Sequence, residues 1–154
     1  MTLLTASRHP SELGRTAPPF QLSTDDLREL SAHAAPIDVP TLTDHCLDNL
    51  AFGLTLLEEF AKTAHDRVEA LANQVAQANL NEVAAMAHAL KGVVGMLAMH
   101  SLFKIFVSME SAVRDSDLAS LQSQVSELRD EMQRVLDYIP NVRAMALREQ
   151  AVQV

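Results

Sequence analysis

The chain of 154 residues has one cysteine, Cys46, no tryptophan, four glycines and six prolines. A single cysteine excludes an internal disulfide, and together with the absence of any signal-peptide pattern in Met1–Pro10 it fits a reducing, cytoplasmic setting. No apolar run approaches the ~20 residues needed to span a bilayer, so no membrane segment is expected. Positive charge is also scarce. Twelve Lys and Arg face twenty Asp and Glu, giving a net charge of −8, and the basic residues form no cluster. That balance argues against nucleic acid as a partner.

What is present favours helices. Hydrophobic residues make up 48% of the chain, enough for a core. Leu, Ala, Val, Met, Glu and Gln dominate, and these sustain helices. Residues 1–36 read as an N-terminal extension or linker, with Pro10, Pro18, Pro19 and Pro36 and a short helix expected from Ser23 to about Ala34. From Thr41, apolar residues from Leu47 to Ala78 keep 3-4 spacing, which predicts one long amphipathic helix, or two joined near its start. Asn81 is a candidate cap for a helix over Glu82–His100, and Ser101 for one over Leu102–Arg114. Asp115-Ser116-Asp117 is a turn, and a last helix starts at Leu118. Pro140 is expected to end or kink it, leaving 141–154 as a helical extension or tail. Short connections make sequential helices antiparallel, so residues 37–140 should form an all-α, up-down-up-down four-helix bundle, and a monomer is expected. The last helix could instead pair as a coiled coil, but its apolar pattern spans only about three heptads.

The helix after Asn81 breaks local rules. On a helical wheel Val83, Met86, Leu90, Val93 and Leu97 form one stripe, with Ala87 and Val94 at its edge. His88 lies opposite and should face solvent. Ala84, Lys91, Gly92, Gly95 and Met99 share its face, with Ala85 and Met96 beside it. Two helix-interior glycines cost up to ~1 kcal/mol each relative to alanine. Close helix packing would place them on the apolar stripe, and they lie off it, so a bare backbone for an approaching partner is the better reading. Lys91 follows His88 by three positions and is the one cation beside it in sequence.

The run Ala87-His88-Ala89-Leu90-Lys91-Gly92 resembles the signature of histidine phosphotransfer (HPt) domains. The likeness extends over about 37–139, through Ile37-Asp38, Leu42, Phe60, Leu102 and Met109-Glu110. Val93-Val94 departs from the small polar residues usual after the glycine. A further family glycine aligns with Ala98, whereas here a glycine stands at 95. The resemblance implies a phosphorelay carrier without catalytic activity of its own. His88 would accept the phosphoryl group and Lys91 would stabilise it. Gly92, Gly95, Ala84, Ala85, Met96 and Met99 would form the docking surface for response-regulator receiver domains. It further implies that the chain needs no cofactor of its own, since the receiver supplies Mg²⁺, and that a hybrid sensor histidine kinase is another candidate partner.

Two other readings compete. A metal-binding bundle would need paired Glu-x-x-His motifs, and Glu58, Glu59 and Glu82 have no histidine three residues on. A pure interaction or scaffold module would make His88 incidental, and phosphorylation of His88 separates the two. His45, His65 and His100 read as surface or boundary residues, and Cys46 as semi-buried packing.

Overall fold

The computed structural model describes residues 35–152; the helix expected before Ala34 lies outside them. Among the described residues there are five helices and no strand. We number them α1 (Val39–His45), α2 (Leu50–Ala76), α3 (Leu80–Met96), α4 (His100–Arg114) and α5 (Leu118–Val152). Helices α2 to α5 form the antiparallel four-helix bundle, and the long N-terminal apolar pattern divides near its start into α1 and α2. No described helix is long and apolar enough to cross a membrane.

One apolar stripe from each long helix builds the core. Leu57, Ala64, Val68 and Leu71 of α2 meet Val83, Ala87, Leu90 and Val94 of α3, Leu102, Phe106 and Met109 of α4, and Leu121, Leu128, Val135 and Val142 of α5. In α3 the stripe is rotated from the wheel reading. Ala87 and Val94 are fully buried, Met86 is half-buried and Val93 is exposed. The rotation follows from the neighbours: α3 packs mainly on α4, which draws the 87/94 side inward.

Helix ends show how the chain manages with little glycine. Beyond each of α1 to α4 the chain turns through a left-handed residue: Leu47, Ala78, Ala98 and Ser116, with φ of 56°, 55°, 58° and 53°. Each is closed by a Schellman pair of hydrogen bonds, such as Ala78 N to Val75 O at 3.0 Å with Asn79 N to Gln74 O at 3.0 Å. Glycine is the residue that adopts this conformation without cost, and none is used.

Several boundaries differ from expectation. The cap of α3 is Asn79, not Asn81, and α4 is entered at Met99 rather than Ser101, so that His100 opens the helix. Pro140 does not end α5. Its missing N–H leaves one turn bond unmade, but Val142 and Ala146 beyond it are buried, and Arg143 reaches Glu58 on α2 at 3.2 Å. Tertiary packing outweighs the proline, so residues 141–152 belong to the bundle. Cys46 is a free, fully buried packing residue.

Helix α1 is fastened to the turn that follows α3. Asp38 caps α1 through Thr41 N (3.1 Å), and its own N–H donates to Ala98 O at 3.0 Å. His100 lies 3.0 Å from the Asp38 carboxylate, and chiefly for that reason the carboxyl titrates below its usual range. His45 Nδ1 sits 2.8 Å from Met96 O.

Two stability outcomes follow. Ala78→Gly should raise stability by about 1 kcal/mol, because Ala78 is exposed and strained only by its left-handed φ. Leu90→Ala should cost roughly 2–5 kcal/mol, as a leucine truncated in the middle of the core. Denaturant midpoints of the two variants read both.

Candidate functional site

His88 is in the middle of α3, opposite the buried stripe, with its side chain 77% exposed. It is not isolated. Glu110 of α4 brings one carboxylate oxygen to 3.2 Å from His88 Nδ1 and the other to 2.9 Å from Lys91 Nζ. The carboxylate is only 19% exposed and joins the two residues across the α3–α4 seam. Sequence spacing links His88 to Lys91, but Glu110 lies 22 residues from His88, and only the α3–α4 hairpin brings it there. The sole sequence signal was its place in the Met109-Glu110 pair, which carried no role.

The electrostatics fix a tautomer. Glu110 titrates below the usual glutamate range, first because Lys91 hydrogen-bonds to it and then because His88 does. At neutral pH it is therefore ionised and can only accept hydrogen bonds. A neutral His88 facing it must carry its proton on Nδ1 and donate to Glu110 Oε1, which leaves the Nε2 lone pair directed at solvent. An exposed imidazole nitrogen with a free lone pair and a fixed ring is chemically a nucleophile presented to a second molecule.

The other sequence candidates separate. Gly92 is exposed, and a Cβ built there would meet no atom within 4 Å. Ala85 and Met96 are exposed and Ala84 is half-buried, so these stand at or near the surface with His88. Met99 does not. It is fully buried, because α3 ends at Met96 and the left-handed turn at Ala98 directs Met99 into the core. Gly95 needs a different explanation from Gly92. A Cβ at 95 would stand 3.3 Å from Phe103 Cδ2, so this glycine makes room for an aromatic ring from α4. The packing explanation set aside on the wheel therefore fits Gly95, which is half-buried where α4 packs on α3. Lys91 is 24% exposed and engaged by Glu110, rather than free at the surface. Among the described residues, no group of three or more His, Cys, Asp or Glu is arranged to hold a metal ion.

A family model described as the Hpt domain matches residues 55–138, more than half of the chain. No curated protein and no solved structure gives a match.

The two glycines should respond differently to the same change. Gly92→Ala should leave stability unchanged or raise it by up to ~1 kcal/mol. Gly95→Ala should fall below it by about 1 kcal/mol, because the Phe103 ring must give way. Chemical denaturation of both variants tests this. The Glu110 pair also has a pH signature. Since folding lowers the Glu110 pKa, the contribution is complete above the usual glutamate range and disappears as pH falls through the lowered folded value. The stability gap between wild type and Glu110→Gln, measured by urea unfolding, should therefore be wide at pH ~7 and close in acid.

Proposed function

The chain belongs to the Hpt domain family, whose members serve histidine phosphotransfer in phosphorelays, and from that premise we propose that His88 is the phosphoacceptor. It takes a phosphoryl group from a receiver-domain aspartate, or from a kinase, and passes it to another receiver. The observation that carries this reading is the Glu110–His88 contact at 3.2 Å, which leaves Nε2 free on a ring 77% exposed.

The step balances simply. The Nε2 lone pair attacks phosphorus and forms the P–N bond. The acyl P–O bond breaks, and its electron pair returns to the aspartate carboxylate. The Nδ1 proton stays in place, and the positive charge that develops on the ring is met by Glu110. Phosphoryl transfer depends on positioning and charge stabilisation, and Mg²⁺ belongs to the receiver. Lys91 lies within one turn of His88 and can exchange Glu110 for the incoming phosphoryl oxygens. On this reading the chain is a carrier with no catalysis of its own. It works in the cytoplasm as a monomer, with receivers and a hybrid sensor kinase as partners.

The scaffold reading has no observation of its own in the structure. His88→Gln should abolish acceptance of label from a phosphorylated receiver. Lys91→Ala should still accept, about ten- to a hundredfold more slowly, equivalent to ~1.4–2.7 kcal/mol of barrier. Acid-labile label on a well-folded His88→Gln chain would show that another histidine is the acceptor and sink the proposal.

A further inference from the structure

The contact that prepares His88 as a nucleophile also acts on the ring once it carries phosphorus. A phosphoryl group on Nε2 leaves the ring two forms. With its Nδ1 proton kept, the ring is a cation. With that proton lost, Nδ1 bears a lone pair and the ring is neutral. The two differ as leaving groups. When the P–N bond of the first breaks, the electron pair returns to Nε2 and a neutral imidazole departs. The second would have to depart as an imidazolate, a far poorer leaving group. The position of one proton therefore decides whether the phosphoryl group is released or kept.

Glu110 stands where that proton is, with one carboxylate oxygen 3.2 Å from Nδ1. An ionised carboxylate offers only acceptors. It accepts from a protonated Nδ1, but against a bare Nδ1 two lone-pair atoms would face each other at hydrogen-bond distance. Glu110 is half-buried, which limits the water that could separate them. Lys91 keeps the carboxylate ionised, because its hydrogen bond is the first cause of the lowered Glu110 pKa. If Lys91 turns to the phosphoryl oxygens, the Nδ1–H is the partner left to Glu110. The other charged groups near α3 stand apart. Lys104 and Arg114 of α4 are exposed and form no ion pair with Glu110. On α2, Glu59 and Arg67 line the groove beside Val93 and Met96, and Glu59 is paired with Lys62. On α1, His45 reaches only the end of α3, at Met96 O. Glu110 and Lys91 are thus the charged groups that face the ring.

We propose that Glu110 sets how long the phosphorylated chain lasts: by holding the proton on Nδ1, it keeps phosphorylated His88 in the form that releases its phosphoryl group. The chain is then a transient relay and not a store. The inference rests on the reading of His88 as phosphoacceptor and adds a regulation of that site, exerted from α4 by the residue that faces Nδ1. An amide at 110 would act the other way. Its NH2 can turn to a bare Nδ1 and donate to it, which favours the neutral, slow-releasing ring. Loss to water balances as transfer does. The water oxygen attacks phosphorus, the P–N electron pair returns to Nε2, the Nδ1 proton stays in place, and both water protons leave with the phosphate.

The test uses the full chain, phosphorylated with phosphoramidate and followed by phosphorus NMR after the donor is removed. His88→Gln, treated alike, reads any label on other histidines. At pH ~8, Glu110→Gln should keep its phosphoryl group about tenfold longer than wild type, the effect of moving ring protonation by about one pH unit, the lower end for a carboxylate beside an exposed cation. Toward acid both rings are protonated, and the two rates should converge. Glu110→Asp keeps the charge and should return the pH profile toward that of wild type. Lifetimes within about twofold of each other at pH ~8 overturn the inference. So does a difference that stays the same at every pH, which is what a merely loosened α3–α4 seam would give. If wild type takes no more label than His88→Gln, the phosphoacceptor reading falls, and this inference with it.

Discussion

Helix α3 has one face that must leave water, and the rest of the site depends on how that face is buried. Val83, Ala87, Leu90 and Val94 are withdrawn almost completely, and with them fixed the helix cannot rotate. Apolar burial of this kind is worth roughly 25 cal/mol per Å². Turning α3 to hide His88 would expose leucine and valine and bury an imidazole beside a carboxylate. The outward position of His88 is therefore held by residues that never touch it. The clasp between α1 and the turn at Ala98 works in the same direction. Asp38, His45 and His100 fasten the C-terminal end of α3 and the turn after it.

Once α3 is fixed, α4 decides the chemistry. Glu110 is placed by the burial of Phe106 and Met109, its neighbours on the same helix. Its carboxylate then does two things at once. It accepts from His88 Nδ1 with one oxygen and from Lys91 Nζ with the other, tying both side chains to α4. Hydrogen bonds to charged groups contribute about 1.5–3 kcal/mol where water is partly excluded, and less where it is not. At 19% exposure the Glu110 carboxylate lies nearer the first case, whereas the ring it orients is open to solvent.

Much of this was legible in the residues. The 3-4 spacing of apolar positions gives the bundle and the outward face of His88, since periodicity reports which side of a helix is buried. The same spacing could not fix the rotation of α3 to better than one flank, because Ala87 and Val94 stand on the boundary of the wheel and only the approach of α4 decides which side wins. It could not foresee Glu110 either, because pairing across a hairpin depends on register. Met99 was misplaced since a wheel assumes the helix continues, and here a left-handed alanine ends it three residues earlier. Of the two outcomes expected at Pro140, an end to the helix does not occur, because Val142 and Ala146 beyond it are buried, which only the tertiary structure decides.

The left-handed turns after the first four helices have a consequence of another kind. Each of Leu47, Ala78, Ala98 and Ser116 sits where glycine would be more comfortable, at about 1 kcal/mol apiece. The fold thus keeps four sites where single-residue changes, remote from His88, could add stability. A protein whose recognition surface must diverge to tell one partner from another accumulates destabilising substitutions on that surface. Compensation can come from the far ends of the helices, in small independent steps, without disturbing the face that is changing. The scarcity of glycine leaves stability in reserve at the helix ends.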